Sequence, residues 1–288
     1  MAYGTPAIPA DVEAYYTHVR RGRPPTADQL ADLQRRYDAI GGTSPLLARA
    51  EEQAAGVRAA LGDGFLVELG MKHAPPFIED GVAALAAAGV TRIVGLVLAP
   101  HYSALSVGDY ARRAEAAATE AGLPLHVVRS WHLADGYLSL LAGFVRGEVD
   151  RLGAEPTEVV FTAHSLPTRI LDLGDPYPHQ LGETAAEVAA RAGVDRWSVG
   201  WQSAGRTPEP WIGPDILAVL PALVEAGTAG VVVCPAGFVS DHLEVLYDLD
   251  VEARAAAEAL GLAFTRTPSP NAHPSFCVTL ADVIRSHA

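Results

Sequence analysis

Cysteine is almost absent: Cys234 and Cys277 are the only two thiols in 288 residues. Two thiols cannot supply the four thiolates of the usual iron–sulfur cluster, so no such cluster is expected, and so low a count fits a reducing cytoplasm. Positive charge is scarce as well. Lys and Arg number 21 against 34 Asp and Glu, a formal net charge of −13. That balance argues against nucleic acid and against an anionic membrane, because both demand a basic face. Long apolar runs are missing too. A membrane span needs ~20 apolar residues, and the richest stretch, 81–100, is interrupted by Thr91 and Arg92. With no signal-peptide pattern, a soluble cytoplasmic protein without stable membrane association is expected. Neither a Gly-x-Gly-x-x-Gly nor a Walker sequence appears, and Ser165 and Ser203 lack a Gly-x-Ser-x-Gly elbow, so nucleotide binding and serine hydrolysis are not indicated.

The chain does hold enough hydrophobic residues, 49%, for one large or two medium cores. Helical patterns cover 10–19, 26–39 and 44–61, the second opening on Thr26 as a cap. From Phe65 onward strands and helices alternate. Strands are expected at 65–69, 92–99, 125–130, 158–163, 197–201 and 230–234, and helices at 76–88, 107–121, 133–152, 177–192, 214–225 and 240–260, with a last helix after Asn271. Alternation of this kind means parallel sheets flanked by helices, an α/β fold. LVELGMKHAPPF parallels WSVGWQSAGRTPEPW, and VLAPHYSALSVGDY parallels VVCPAGFVSDHLEVLY. The offsets are 130 positions from Gly70 to Gly200 and 135 from Pro100 to Pro235. Two similar Rossmann-like lobes facing one another across a cleft are therefore expected, 1–150 and 151–271, with the terminal helix, 272–288, crossing back to the first lobe.

One stretch, VVVCPAGFVSDHLEVLYDLDVE, sets Glu244, Asp248 and Glu252 four residues apart on a helix. Like charges at that spacing cost a helix about 0.2–0.5 kcal/mol per pair, so the row is either a solvated acidic face or one that meets a cation. Its companion, VVFTAHSLP, ends a buried-looking strand on His164, where Ser-Leu-Pro prevents continuation. Ligands of open α/β sheets bind at such carboxyl ends. An imidazole near a carboxylate row suits a divalent metal and proton removal. Three arginines in RRGRPP, Arg20, Arg21 and Arg23, are either a solvated turn or a clamp for carboxylates.

FTAHSLP, WQSAGRTPEPWIGPD and GFVSDHLEVLYDLDVE, with the opening MAYGTP, YYTHVRRGR and RYDAIGGTSPL, together resemble the ferrochelatase family, nearest its coproporphyrin-type enzymes from Gram-positive bacteria. The resemblance implies insertion of Fe²⁺, as substrate, into coproporphyrin III, with protoporphyrin IX or another divalent metal as the alternative. A porphyrin or metal carrier without turnover is the competing class. By the same resemblance His164 is base or metal ligand and Glu244 its partner across the macrocycle. Asp248 and Glu252 form an outer metal site, or hold a second divalent cation such as Mg²⁺. Arg20, Arg36, Tyr37, Ser44 and Tyr110 hold propionates, and Tyr3 approaches the metal from the opposite ring face. A monomer that hands its product to a later haem-synthesis enzyme is implied, as is an apolar strand ahead of the opening MAYGTP.

Overall fold

A computed structural model describes residues 1–288. Helices α1 (Val12–Val19), α2 (Ala27–Ala39) and α3 (Leu46–Leu61) open the chain. Thr26 starts α2 as expected: its hydroxyl accepts from the Gln29 N–H, and Gln29 Oε1 accepts from the Thr26 N–H. A reciprocal cap of this kind stabilises a helix by about 1 kcal/mol. Then come α4 (Ile78–Ala87), β1 (Ile93–Leu96), α5 (Val107–Glu120), β2 (Leu125–Val128) and α6 (Asp135–Leu152). The second lobe runs β3 (Thr157–His164), α7 (Arg169–Asp172), α8 (Tyr177–Ala192), β4 (Trp197–Gln202), α9 (Ile216–Glu225) and β5 (Gly230–Cys234). It continues through α10 (Leu243–Val245), π-helical turns over Leu246–Ala253, α11 (Arg254–Ala259) and β6 (Ala263–Arg266), and the chain ends on α12 (Pro274–Arg285).

Both sheets are parallel, β1–β2 in the first lobe and β4-β3-β5-β6 in the second. Val159, Val160, Val231, Val232 and Val233 are fully buried, as central strands covered on both faces require. One core cluster runs from Val57 and Leu96 through Tyr137 and Leu141 of α6 to Phe161 and Val232. The lobes therefore share a spine at α6. Helix α12 packs on α3 and α6, with Phe276 and Leu280 in the same cluster.

Three expectations are corrected. Residues 65–69 run beside the first lobe without strand pairing, because the place where a partner would lie is open. That opening is a cavity of about 670 Å³, bordered by Phe65, Val67, Leu85, Ile93, Leu96 and Met1. Next to it, residues 1–3 bond on both sides: Leu98 N–H donates to the Met1 carbonyl at 2.8 Å, and Lys72 N–H to the Ala2 carbonyl at 2.9 Å. Residues 240–260 are not one α-helix either. From Leu246 to Ala253 the backbone winds i→i+5, and the Arg254 N–H reaches the Leu249 carbonyl. Such turns are rare and are frequently found at functional sites. Finally, β6 and the short α7 lie where no element was expected.

Candidate functional site

Between the lobes lies a cleft of about 410 Å³. Tyr3, Tyr37, Ser44 and Tyr110 line its first-lobe wall, and His164, Tyr177, His242 and Glu244 its second. Strand β3 delivers His164 at its carboxyl end. There the ring is oriented by its own neighbours: Nδ1 lies 2.5 Å from the Ser165 carbonyl, which can only accept, so Nδ1 carries the hydrogen. The Tyr177 hydroxyl donates to the His164 carbonyl at 2.9 Å and holds the strand end in place. Nε2 is left facing Glu244 Oε1 at 3.4 Å, and both side chains remain about a third exposed to the cleft.

Glu244 is placed by its backbone. His242 Nδ1 accepts the N–H groups of Glu244 and Val245 at 3.1 and 3.2 Å, capping the helix start. Gln202, fully buried at the end of β4, donates to the Glu244 carbonyl and accepts from the Thr162 hydroxyl of β3. Before it, Gly237 passes so close to Ala163 that a Cβ there would meet the Ala163 Cα at 2.8 Å. Strands β3 and β5 are direct neighbours, so the chain segments leaving their ends emerge together. His164 and Glu244 thus stand side by side on one wall, not on opposite faces of the cleft. Tyr3 holds the other wall, its ring against His73 at 4.6 Å.

Electrostatics follow from that pairing. Burial alone would depress His164, but the charge and hydrogen bond of Glu244, the Ser165 carbonyl and Asp248 outweigh it and raise the imidazole to about 9. Burial would likewise raise Glu244, yet His164 first and then His242 and Arg36 hold it at about 2. Asp248 behaves oppositely. Burial and the adjoining Glu244 and Glu252 charges lift it to about 7, against the Ser203 hydrogen bond and Arg36.

The remaining expected residues divide. Asp248 and Glu252 lie beyond the cleft wall along the π-helical turns, and Asp248 is bound by Ser203 and faces Arg36 Nη1 at 3.5 Å. No three acidic, His or Cys side chains converge into a closed metal shell. Arg36 is engaged by Asp32 and Asp248 and lies over the Tyr247 ring, outside the cleft lining. Arg20 donates to the Arg23 carbonyl and sits 5.6 Å over Tyr16, one ring removed from the cleft. Tyr37 is bonded to Thr5, and the Ser44 hydroxyl accepts from the Leu46 N–H. Among the other aromatics, Trp201 is core, and Trp211 stands 6.4 Å from the His164 ring. His242, Gln202 and Lys72 were not anticipated. His242 alone left a trace, its place directly before Leu-Glu-Val at a helix start.

Known proteins resemble the chain along its whole length. A family model described as Ferrochelatase matches residues 1–288. The coproporphyrin III ferrochelatase of Anoxybacillus flavithermus is 45% identical over 297 residues, covering 100% of this chain and 94% of that protein. Those of Oceanobacillus iheyensis and Geobacillus kaustophilus are 42% and 45% identical, with 95% and 93% of their lengths covered and 100% and 99% of this chain. Among solved structures, SirB from Bacillus subtilis with Fe³⁺ aligns at a TM-score of 0.59 and 16% identity, over 83% of this chain and 89% of that one, a likeness of fold.

Proposed function

The chain belongs to the ferrochelatase family, and from that premise we propose that it inserts Fe²⁺ into coproporphyrin III, giving Fe-coproporphyrin. The observation that carries this reading is the His164–Glu244 pair, a base and a carboxylate aligned on one wall of a cleft lined with tyrosines. A porphyrin lying between that wall and Tyr3 presents its pyrrole nitrogens to His164 Nε2. Before the metal arrives, Glu244 keeps His164 protonated. An incoming Fe²⁺ neutralises the carboxylate, so the imidazolium loses the charge that held its proton and releases it to solvent; Nε2 then takes the two pyrrole protons in turn and passes each to water. Entry along Glu252, Asp248 and Glu244 would exchange the ion's water shell for carboxylate oxygens step by step. Asp248 and Glu252 would also serve a second divalent cation such as Mg²⁺.

We assign the two lobes to residues 1–150 and 151–271, and read the enzyme as a cytoplasmic monomer that passes its product to a later enzyme of haem synthesis. No helix is long and apolar enough to cross a membrane, which suits a substrate with four carboxylates. The test is an anaerobic fluorescence assay of Fe²⁺ insertion, coproporphyrin III against protoporphyrin IX. Faster turnover of the former supports the proposal. Tight porphyrin binding without turnover would make the protein a carrier, and faster turnover of the latter would reassign its substrate.

A further inference from the structure

Past Tyr3 and Lys72 the central cleft continues into a second recess of about 690 Å³, sharing Tyr3, Val19, Lys72 and Leu105 with it. Its other walls are basic: Arg21, Arg112, Arg113, His18 and His73. In a chain of net charge −13 this concentration is a local reversal. Four cations stand there against two carboxylates. Arg113 is spent, gripping Glu79 with Nε at 2.8 Å and Nη2 at 2.6 Å and donating to the Lys72 carbonyl. Asp109 is claimed twice, by Lys72 Nζ at 2.6 Å and Arg112 Nη2 at 2.5 Å. One carboxylate neutralises only one of these two cations, and no carboxylate pairs with Arg21.

Geometry also marks the recess as a built feature. Arg21 holds a left-handed backbone, φ 57°, in the turn that aims α1's end at the opening. Non-glycine residues in that region are uncommon and gather at binding sites. His18 and His73 meet Nδ1 to Nδ1 at 3.1 Å, one donating and one accepting. Burial first, then the charges of Lys72, His18 and Arg113, push His73 down to about 3. Lys72 itself is nearly buried and lies 5.1 Å over the Tyr110 ring, at the junction of the two spaces. Meanwhile Arg20 and Arg36 do not border the cleft.

We propose that this recess is a carboxylate subsite, in which Lys72, Arg112 and Arg21 take propionates that project from the macrocycle past Tyr3. The inference rests on the porphyrin reading and deepens it: it names the residues that would separate a porphyrin with four propionates from one with two. Charge-assisted hydrogen bonds to a carboxylate change affinity roughly ten- to a hundredfold each.

Binding of coproporphyrin III and of protoporphyrin IX, followed by fluorescence at several salt concentrations, tests it on wild type, Lys72→Met, Arg112→Gln and Arg21→Gln. Lys72→Met leaves Asp109 paired with Arg112, and the two surface arginines can be removed without touching the core. The expected result is a loss of roughly tenfold or more for coproporphyrin III in Lys72→Met, smaller losses for the arginine variants, and less than about threefold for protoporphyrin IX. The salt dependence for coproporphyrin III should flatten in the same variants, which a purely structural lesion would not produce. Equal losses for the two porphyrins, or losses for neither, overturn the subsite while leaving the enzyme reading intact. A wild type that binds neither porphyrin overturns both.

Discussion

His164 Nε2 stands 3.4 Å from Glu244 Oε1, and the two side chains come from the ends of neighbouring parallel strands in one lobe. Each holds the other's charge: the imidazole is raised to about 9 and the carboxylate held at about 2. Imidazole and carboxylate are thus one titrating unit, and pH should reveal it. In the metal-free enzyme His164 must lose its proton to act, so kcat/KM should climb toward pH 9. In Glu244→Gln, which removes the raising charge, that limb should move acidward while the rate itself falls. His164→Ala should cost about 10²–10⁴ in rate, the usual span for a general base, and should lower the melting temperature below pH 9, because it leaves the Glu244 charge without its partner. An alanine variant that inserts iron normally would remove His164 from the chemistry.

Asp248 offers a test of the acidic row that needs no porphyrin. Its folded pKa, about 7, lies above the ordinary 3.8 because burial and the Glu244 charge disfavour its ionisation. A raised carboxylic acid contributes stability that is full below about 4 and lost as pH rises through 7. Asp248→Asn, always neutral, should therefore gain melting temperature over wild type at pH 8 and little at pH 5, both measured in chelator. It should also demand a higher Fe²⁺ concentration for half-maximal rate. An equal shift at the two pH values would deny that Asp248 is the group being strained.

How far this site could be read from residues alone depended on what kind of signal each part left. Strand β5, a run of valines, and α8, closed by Gly193, were legible end to end. His164 was visible because Ser-Leu-Pro cannot continue a strand, and Glu244 because like charges recurred at helical spacing. The side-by-side pairing was not, since it depends on β3 lying next to β5, a tertiary adjacency. The π-helical turns left no trace either. One extra residue per hydrogen-bonded ring does not alter which residues are apolar. Residues 65–69 carried a strand's pattern but not its partner, and β pairing is decided by the neighbour. Lys72 was hidden for a similar reason: its role comes from Tyr110 and Asp109, which lie far along the chain.

His242 should behave as a positioning residue whose cap can be replaced. Its ring accepts two N–H groups at the helix start that carries Glu244. Asn offers an acceptor at the same place, and Ala offers none. Loss of a cap costs roughly 0.5–2 kcal/mol, so His242→Ala should lower both stability and kcat, whereas His242→Asn should restore most of each. Failure of Asn to rescue kcat while it restores melting temperature would show that the imidazole acts on the substrate directly.

The last prediction concerns the open slot between residues 65–69 and β1. Residues 1–3 already bond to both walls at its end, and the slot's lining is mostly apolar, with Phe65, Val67, Leu85 and Leu96 among its borders. An added segment of five Val and Leu residues ahead of Met1 should therefore enter as a strand. Burying each side chain gains about 1.5–3 kcal/mol, against about 1–2 kcal/mol per residue for fixing the backbone. Ladder hydrogen bonds add about 1 kcal/mol each, so the balance favours entry and the melting temperature should rise. A Gly/Ser extension of equal length lengthens the chain without filling the slot, and should give little of that gain. If the apolar and Gly/Ser extensions melt together, the cavity does not take a strand.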